Sequence, residues 1–332
     1  MPRATVIIPT RNRAPVLRQC LHSLEQQTLA ANSFEVIVVD NGSNDDTAAV
    51  ARSFGAHMDL TVLYEAEPGL HVGRHAGWRA ARSEQLVFVD DDIQAEPGWL
   101  AAVVEAFEDP QVALVGGNNL PAFSHQPPTW LQRWWERPVL RGRALGFLSI
   151  LDFGEGCFEI DPEFVWGCNF SVRASVLEAA GGFHPDGVPR EHLRLRGDGE
   201  TYISTVVRRE GWRAWFDGRA TVRHLVDARR MTPAYFEERA FAQGISDSYT
   251  AIRAAGCVEP ERHGLRQRLH RALTPARDWW ASGGWRGEPA SAELRAVQAR
   301  VRAGYRRGWD FHRTEVDRDP ALLDWVLKDN YL

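Results

Sequence analysis

Short apolar runs alternate with helix-like patterns along the first third of the chain. Each run has four or five residues, as in TVIIP and EVIVV, and apolar side chains recur at helical spacing between the runs. Such continuous runs are typical of parallel strands that helices cover on both faces. The pattern predicts an α/β fold, with strands at 5–9, 35–39, 60–64, 86–89 and 112–115 and helices at 14–27, from Asp45 onward, at 70–82 and at 97–107.

The pattern becomes less regular after residue 116. Residues 117–164 contain several prolines and the tryptophan-dense segment PTWLQRWWERP. Regular patterning returns at 164–180 and 197–211, short strands are predicted at 214–216 and 220–225, and the chain from 233 onward is mostly helical. We expect residues 262–286 to be a linker or a mobile region.

The composition is that of an ordinary globular protein, with 44% hydrophobic and 25% charged residues. A formal net charge of −5 provides no basic excess, so we expect no nucleic-acid partner. The four cysteines are far apart and lack metal-binding spacing, which favours free thiols in a reducing cytosol. Because neither a secretory h-region nor an apolar stretch of about 20 residues is found, we expect a cytoplasmic protein that meets any membrane from its surface.

Polar residues directly follow three of the predicted strands. They are TRNR at 10–13, DNGS at 40–43 and DDD at 90–92. Ligands of parallel α/β sheets bind at the carboxyl ends of the strands. We therefore expect these three loops to lie along one edge of the sheet and to form a binding site.

The triple aspartate is the strongest chemical signal. Adjacent carboxylates at the tip of a buried strand repel one another unless a cation lies between them. Mg²⁺ and Mn²⁺ prefer oxygen ligands and often bind together with substrate phosphates. An acidic turn or a helix N-cap explains the same three residues without any metal.

The segment VVDNGSNDDT has two interpretations. Asp40 and the following Asn-Gly-Ser form a turn, and Asp45 can cap the next helix. Alternatively, Asp40 accepts hydrogen bonds from a nucleotide base or ribose. The first strand runs into PTRNR, which has neither the glycine pattern of a dinucleotide fold nor the glycines and lysine of a P-loop.

In their order and spacing, the segments VIIPTRNR, VVDNGSNDDT, GLHVGRHAGWRAA and VFVDDD resemble family 2 glycosyltransferases of the GT-A fold. The resemblance covers about residues 4–245. It implies a GT-A type, Rossmann-like nucleotide-binding sheet with a helical C-terminal extension. We accordingly expect a GT-A domain at 1–230, with a donor half at 1–116 and an acceptor half at 117–230, and a helical region at 231–332.

The resemblance also implies roles in donor binding. The residues expected to bind the nucleotide or the donor are Pro9, Thr10, Arg11, Asp40, Arg74, Asp90 and Asp91. Asp40 would bind the base and Arg74 the base or the diphosphate, although His75 stands where the family usually has Asn. Asp90 would lie near the ribose, and Asp92 would hold a divalent metal ion, Mn²⁺ or Mg²⁺.

Two later segments extend the resemblance. WGCNFSVRASVLEAAGGF is similar to a second-half signature that would bring Trp166 and Gly167 to the sugar and diphosphate. RGDGETYISTVVRREGWR resembles the segment with the catalytic acidic pair, and alignment on its Gly-Trp places the catalytic carboxylate on Glu200. Asp198 lies two residues earlier, so either carboxylate can be the base, with Glu200 favoured. Alternatively, both carboxylates lie at a helix N-terminus and have no catalytic role.

His224 lies in the segment TVRHLV, at the end of a predicted strand, where some members of the family have a metal-binding histidine. A histidine in the core or on the surface would show the same sequence. Taken together, the resemblance implies an inverting transfer of a sugar from a nucleotide-diphosphate donor, expected to be a UDP-sugar, to an acceptor hydroxyl. The metal would offset charge on the leaving diphosphate, and a carboxylate would act as general base.

Partners and alternatives stay open at this point. The acceptor can be a saccharide, a lipid-linked sugar or a natural product, and an oligomer is compatible with the sequence. The side chains of Trp130, Trp134 and Trp135 are expected to pack in a core or interface, the alternative being an acceptor wall or a membrane-facing surface. The alternative functions are a sugar-nucleotide-binding scaffold without activity and a nucleotidyltransferase, which normally has a glycine-rich loop after its first strand.

Overall fold

A computed structural model describes residues 1–258 and 291–331. Its strands are β1 (Ala4–Thr10), β2 (Phe34–Asp40), β3 (Leu60–Tyr64), β4 (Gln85–Val89), β5 (Ile93–Ala95), β6 (Val112–Gly116), β7 (Asn119–Phe123), β8 (Pro138–Val139), β9 (Gly142–Leu145), β10 (Ile150–Asp152), β11 (Cys157–Glu159), β12 (Asn169–Arg173), β13 (Arg213–Asp217) and β14 (Val222–Val226). Its helices are α1 (Ala14–Glu25), α2 (Thr47–Ser53), α3 (Leu70–Ala80), α4 (Trp99–Ala106), α5 (Thr129–Trp135), α6 (Ala174–Ala179), α7 (Glu200–Arg209), α8 (Pro233–Ala255), α9 (Ala292–Arg318) and α10 (Pro320–Leu327). The α/β prediction is confirmed.

The larger sheet has eight strands in the order β11-β13-β6-β12-β4-β1-β2-β3. The strands β4, β1, β2 and β3 are parallel neighbours, so their carboxyl ends meet at one edge. β12 lies antiparallel between β4 and β6 and joins the two parallel parts of the sheet. Since β12 and β13 come from beyond residue 117, the predicted donor and acceptor halves share one sheet, and the predicted domain boundaries stay a prediction.

The smaller sheet has six strands in the order β5-β14-β7-β10-β9-β8. Four of these strands fall within 117–164, the region whose sequence pattern is irregular, because two- to five-residue strands are too short to show a clear period. The antiparallel pair β5/β14 aligns His224 with Ile93, the residue after the triple aspartate. This pair therefore brings two distant sequence segments to one site.

Two predicted helix starts were wrong by two residues. Helix α2 begins at Thr47, and α4 begins at Trp99. Asp45 lies before α2, where its carboxylate accepts hydrogen bonds from the N–H groups of Thr47 and Ala14 at 3.0 and 3.3 Å. Asp45 thus joins this turn to the start of α1 and is not the first helical residue.

The tryptophan-dense segment forms α5 and lies in the core. Trp130 and Trp134 are each 2% exposed, and both rings pack against Phe236 of α8. The expected packing role is what the structure shows. An acceptor wall or a membrane-facing patch would need exposed rings, which these residues do not provide.

The C-terminal region is helical where the structure describes it. Helix α8 packs along α9, and α10 follows directly. Among the described residues, no helix is both long and apolar enough to cross a membrane. The predicted linker at 262–286 lies outside the described residues.

His75 ties helix α3 to the loop after α6. Its side chain is 2% exposed, and its Nε2 accepts a hydrogen bond from the Phe183 N–H at 2.9 Å. An accepting Nε2 belongs to the neutral imidazole. Burial, together with the nearby charges of His71 and Arg79, lowers the pKa of His75 to about 3.

His75 should make the fold sensitive to acid. In the unfolded chain the imidazole titrates near its ordinary pKa, so below about pH 6.5 the unfolded state binds more protons and stability falls as pH falls. From pH 7 to pH 5 this linkage removes about 2 kcal/mol of the free energy of unfolding. His75→Gln keeps an acceptor for the Phe183 N–H and cannot titrate, so urea unfolding should show a flatter pH dependence. Exposed His57→Gln is the control, and an unchanged slope in His75→Gln would contradict the assignment.

Candidate active site

The loops after β1, β2 and β4 meet at the carboxyl edge of the larger sheet. Thr10 pairs with Asp40 in the strand register, and the Thr10 hydroxyl donates a 2.6 Å hydrogen bond to Asp91 Oδ2. The expected convergence of the three polar loops is therefore present. Asp40 is 5% exposed, and its Oδ1 accepts the Ser43 N–H at 2.8 Å, which is the turn that the sequence indicated.

The triple aspartate occupies the turn between β4 and β5. The β5/β14 pairing and the hydrogen bond from the Leu225 N–H to the Asp92 carbonyl fix the position of Asp92 opposite His224. His224 Nε2 lies 3.2 Å from Asp92 Oδ1. The ligand atoms of Asp90, Asp92 and His224 all lie within 4.8 Å of one another.

Burial and local charge make the three carboxyl groups different. Burial raises the pKa of Asp91 to about 7, against the opposing effect of Arg13. Burial, together with the negative charge of Asp92, also raises the pKa of Asp90. Burial acts on Asp92 in the same direction, but His224, Arg13 and Arg230 outweigh it and hold the pKa of Asp92 well below its usual range. The surroundings of Asp92 therefore favour its charged form, in contrast to those of Asp90 and Asp91.

Three arginines lie against this acidic turn. Arg13 contacts Asp91 Oδ1 at 3.1 Å and Asp92 Oδ2 at 2.8 Å, and Arg230 contacts Asp92 Oδ2 at 3.3 Å. Arg74 lies 3.7 Å from Asp90 Oδ1. The sequence pointed to Arg11, which is exposed. Arg13 lies in the same motif, PTRNR. For Arg230, the only signal in the sequence is the nearby segment that contains His224.

Arg74 also anchors the predicted catalytic segment. Its guanidinium is 2% exposed, contacts Glu200 Oε2 at 3.3 Å and donates to the Gly167 carbonyl at 3.0 Å. The Gly167 N–H in turn donates to Glu200 Oε1 at 3.1 Å. A Cβ at Gly167 would lie 2.5 Å from the Arg74 Nη2 atom, so only glycine fits this contact. Trp166 is oriented by its own indole N–H, which donates to the Glu163 carbonyl.

Asp198 and Glu200 point to different surroundings. Asp198 is 6% exposed in its side chain, lies 2.6 Å from His184 Nδ1 and accepts a 2.7 Å hydrogen bond from the Thr250 hydroxyl. Glu200 is 25% exposed at the start of α7 beside Arg74. Gly199 makes this divergence possible, because its φ of 53° and ψ of −125° suit glycine and few other residues.

The residues around Asp92 fit a divalent cation. Asp92 Oδ1 is buried and has no hydrogen-bond partner among the described residues. Two carboxylates and one imidazole form a donor set that Mn²⁺ and Mg²⁺ accept. If the cation binds, Asp90, Asp92 and His224 would hold it.

The other predicted donor-binding residues line the same edge. Pro9 lies in β1 directly before Thr10. Asn41 follows Asp40 and bonds three backbone groups of the loop between β3 and α3. The Asn41 amide donates to the carbonyls of Glu65 and Glu67, and its oxygen accepts the Gly69 N–H just before α3. Sequence reasoning did not single out Asn41. It fixes the position of the helix that carries Arg74.

The chain is similar to several known glycosyltransferases. The model of glycosyl transferase family 2 matches residues 5–171, half of the chain. Validoxylamine A glucosyltransferase of Streptomyces hygroscopicus is 29% identical over 234 residues, 64% of this chain and 55% of that protein. Pre-mycofactocin glycosyltransferase of Mycobacterium tuberculosis is 32% identical over 189 residues, 54% of this chain and 35% of that protein. The chain thus spans about half, or less, of the length of these curated relatives.

Among solved structures, a mannosyltransferase from Pyrobaculum calidifontis in complex with GDP-Man and Mn²⁺ shares the fold. The TM-score is 0.52 at 20% sequence identity, and the match covers 98% of this chain and 86% of that one. This likeness confirms the GT-A fold, including the helical C-terminal part. At this level of identity it shows the fold alone.

Proposed function

Since this chain belongs to glycosyl transferase family 2, we propose that it transfers a sugar from a nucleotide-diphosphate donor to an acceptor hydroxyl. One observation carries the proposal: the metal-ligating set Asp90, Asp92 and His224 lies beside the Arg74–Glu200 pair at the carboxyl edge of the sheet. A cation site and an anchored carboxylate at one edge are what transfer from a diphosphate donor needs. The acceptor class stays open.

Asp40, Thr10 and Pro9 would bind the nucleotide, with Asp40 facing the base. A UDP-sugar is the first donor to test and a GDP-sugar the second, because the P. calidifontis mannosyltransferase was solved with GDP-Man and Mn²⁺. A bound Mn²⁺ or Mg²⁺ would supply positive charge beside the leaving diphosphate. Arg74, fixed by Gly167 and Glu200, adds a second positive charge on the sugar side.

Glu200 is the proposed general base. As the acceptor oxygen attacks the anomeric carbon, its proton moves to the Glu200 carboxylate and the bond from that carbon to the diphosphate oxygen breaks. Each Glu200 oxygen already accepts one contact, from Arg74 or from the Gly167 N–H, and keeps a second lone pair for the proton. A single displacement of this kind inverts the anomeric centre. Asp198 is held by His184 and Thr250, which favours a positioning role.

The metal proposal predicts a loss of cation-dependent binding in Asp92→Asn. Replacing the charged carboxylate by an amide removes a metal ligand and little volume, so calorimetry in Mn²⁺ should show UDP and GDP affinity reduced by about tenfold or more. Asp59→Asn, an exposed carboxylate paired with Arg82, is the matched control. Mn²⁺-dependent nucleotide affinity equal to that of the unmodified protein would contradict the assignment.

The base-binding proposal predicts that Asp40→Asn weakens uridine and UDP by the same factor, about tenfold. Asparagine keeps an acceptor for the Ser43 N–H, so the turn is preserved, and the lost contact is to the base. If guanosine and GDP are the better ligands, the same comparison applies to that pair. A loss confined to the diphosphate would give Asp40 a different role.

The base assignment predicts different losses in Glu200→Gln and Asp198→Asn. Glu200→Gln should reduce turnover by about 10²–10⁴-fold, the usual contribution of a general base, with nucleotide affinity nearly unchanged. Asp198→Asn should reduce turnover less and lower the melting temperature, because its contacts are structural. Mn²⁺-dependent donor hydrolysis, with water as acceptor, measures both and also separates an enzyme from a scaffold. A larger loss in Asp198→Asn than in Glu200→Gln would reverse the two roles.

A further inference from the structure

The guanidinium of Arg230 lies within the proposed metal site. Its Nη1 atom is 3.3 Å from Asp92 Oδ2 and 3.2 Å from His224 Nε2. It therefore contacts a carboxylate and the imidazole nitrogen that would both bind the cation. A guanidinium carries a positive charge and only donates hydrogen bonds, so it occupies the position beside Asp92 and His224 that a cation would otherwise take.

Asp92 and His224 also lie close to each other, with His224 Nε2 3.2 Å from Asp92 Oδ1. Arg230 Nη1 therefore contacts both side chains of this pair. The guanidinium and a divalent cation would compete for the same two side chains.

The charges around the turn also indicate that a guanidinium and a metal ion would compete for this site. The three carboxyl groups of the turn are each contacted by a guanidinium: Asp90 by Arg74, Asp91 and Asp92 by Arg13, and Asp92 also by Arg230. Arg74 is shared with Glu200, so three guanidinium groups face at most four negative charges. A divalent cation entering this turn meets at most one negative charge that no guanidinium offsets, and it binds well only if a guanidinium leaves or an anion arrives with it.

We propose that Arg230 is an internal counter-cation that leaves Asp92 and His224 when the metal enters and then binds the diphosphate of the donor. This inference rests on the proposed function, because it takes the metal site and the nucleotide-diphosphate donor as its starting point. Metal-bound phosphate oxygens lie next to the metal ligands, so the side chain has only a short distance to move. The planar fork of arginine suits phosphate oxygens.

The contacts of Arg230 allow such a change. Its side chain is 16% exposed and begins in the short turn after β14, so one side reaches solvent. Its remaining hydrogen bonds, to the carbonyls of Leu225 and Leu148, are 3.2 and 3.3 Å long. Metal and diphosphate would each favour the arrangement that the other needs, so their binding is cooperative and reciprocal.

The test compares Mn²⁺ binding without nucleotide, followed by electron paramagnetic resonance, with UDP and GDP binding in Mn²⁺, followed by calorimetry. Arg230→Gln should bind Mn²⁺ alone about tenfold more tightly than the unmodified protein, because the competing cation is gone. The same variant should bind UDP or GDP in Mn²⁺ about tenfold more weakly. Arg230→Lys keeps the charge and should retain weak Mn²⁺ binding. Arg229→Gln, an exposed neighbour in the same turn, is the matched control.

Opposite changes in the two affinities would support the inference. Equal Mn²⁺ affinity in Arg230→Gln and the unmodified protein, with Mn²⁺-dependent nucleotide binding intact, would overturn it and leave the proposed function standing. Absence of Mn²⁺ binding to the unmodified protein even with UDP or GDP would overturn the metal site and this inference together. If Arg230→Gln folds poorly, the Mn²⁺-induced rise in its melting temperature gives the same comparison and should exceed that of the unmodified protein.

Discussion

Three carboxyl groups at the tip of one buried strand are the constraint on which the rest of the site depends. Asp91 and Asp92 are almost fully buried, where a carboxylate is costly unless it is paired or protonated. Two features of the structure offset the free-energy cost of burying these carboxyl groups. Burial keeps the pKa of Asp91 near 7, so that group carries a proton part of the time, and guanidinium groups from three separate elements approach the others. These contacts offset the negative charge of the acidic turn before any ligand binds.

This arrangement needs elements that are far apart in the sequence. The parallel strands bring Thr10 to Asp91, whereas His224 reaches Asp92 only because β14 pairs with β5 in the smaller sheet. The antiparallel β12 continues the larger sheet from β4, and the residues just before it place Gly167 beside Arg74. The two sheets therefore meet at the acidic turn. A change in the strand register of either sheet would separate the proposed metal ligands from the proposed base.

The features that depend on local sequence patterns were predictable. Buried parallel strands produce continuous apolar runs, and the polar residues after them are recognisable because strand ends in such sheets bind ligands. Features that depend on tertiary contacts were not predictable in the same way. The smaller sheet uses strands too short to show a period, Arg13 and Arg230 are ordinary arginines until the fold brings them to Asp92, and Asp45 joins two helix starts instead of beginning one. The family resemblance named Asp198 and Glu200, but only their contacts distinguish them.

Those contacts also give the C-terminal helices a role at the site. Thr250 of α8 binds Asp198, the Trp325 indole donates to the Leu195 carbonyl, and Tyr331 bonds the Tyr249 hydroxyl beneath His184. The first two contacts reach the segment just before Glu200, and the third lies beside His184, which contacts Asp198. Because Gly199 provides little conformational restraint of its own, the position of Glu200 depends on how firmly Asp198 is held on the other side. The helical extension is therefore part of the scaffold that sets the distance between the proposed base and Arg74.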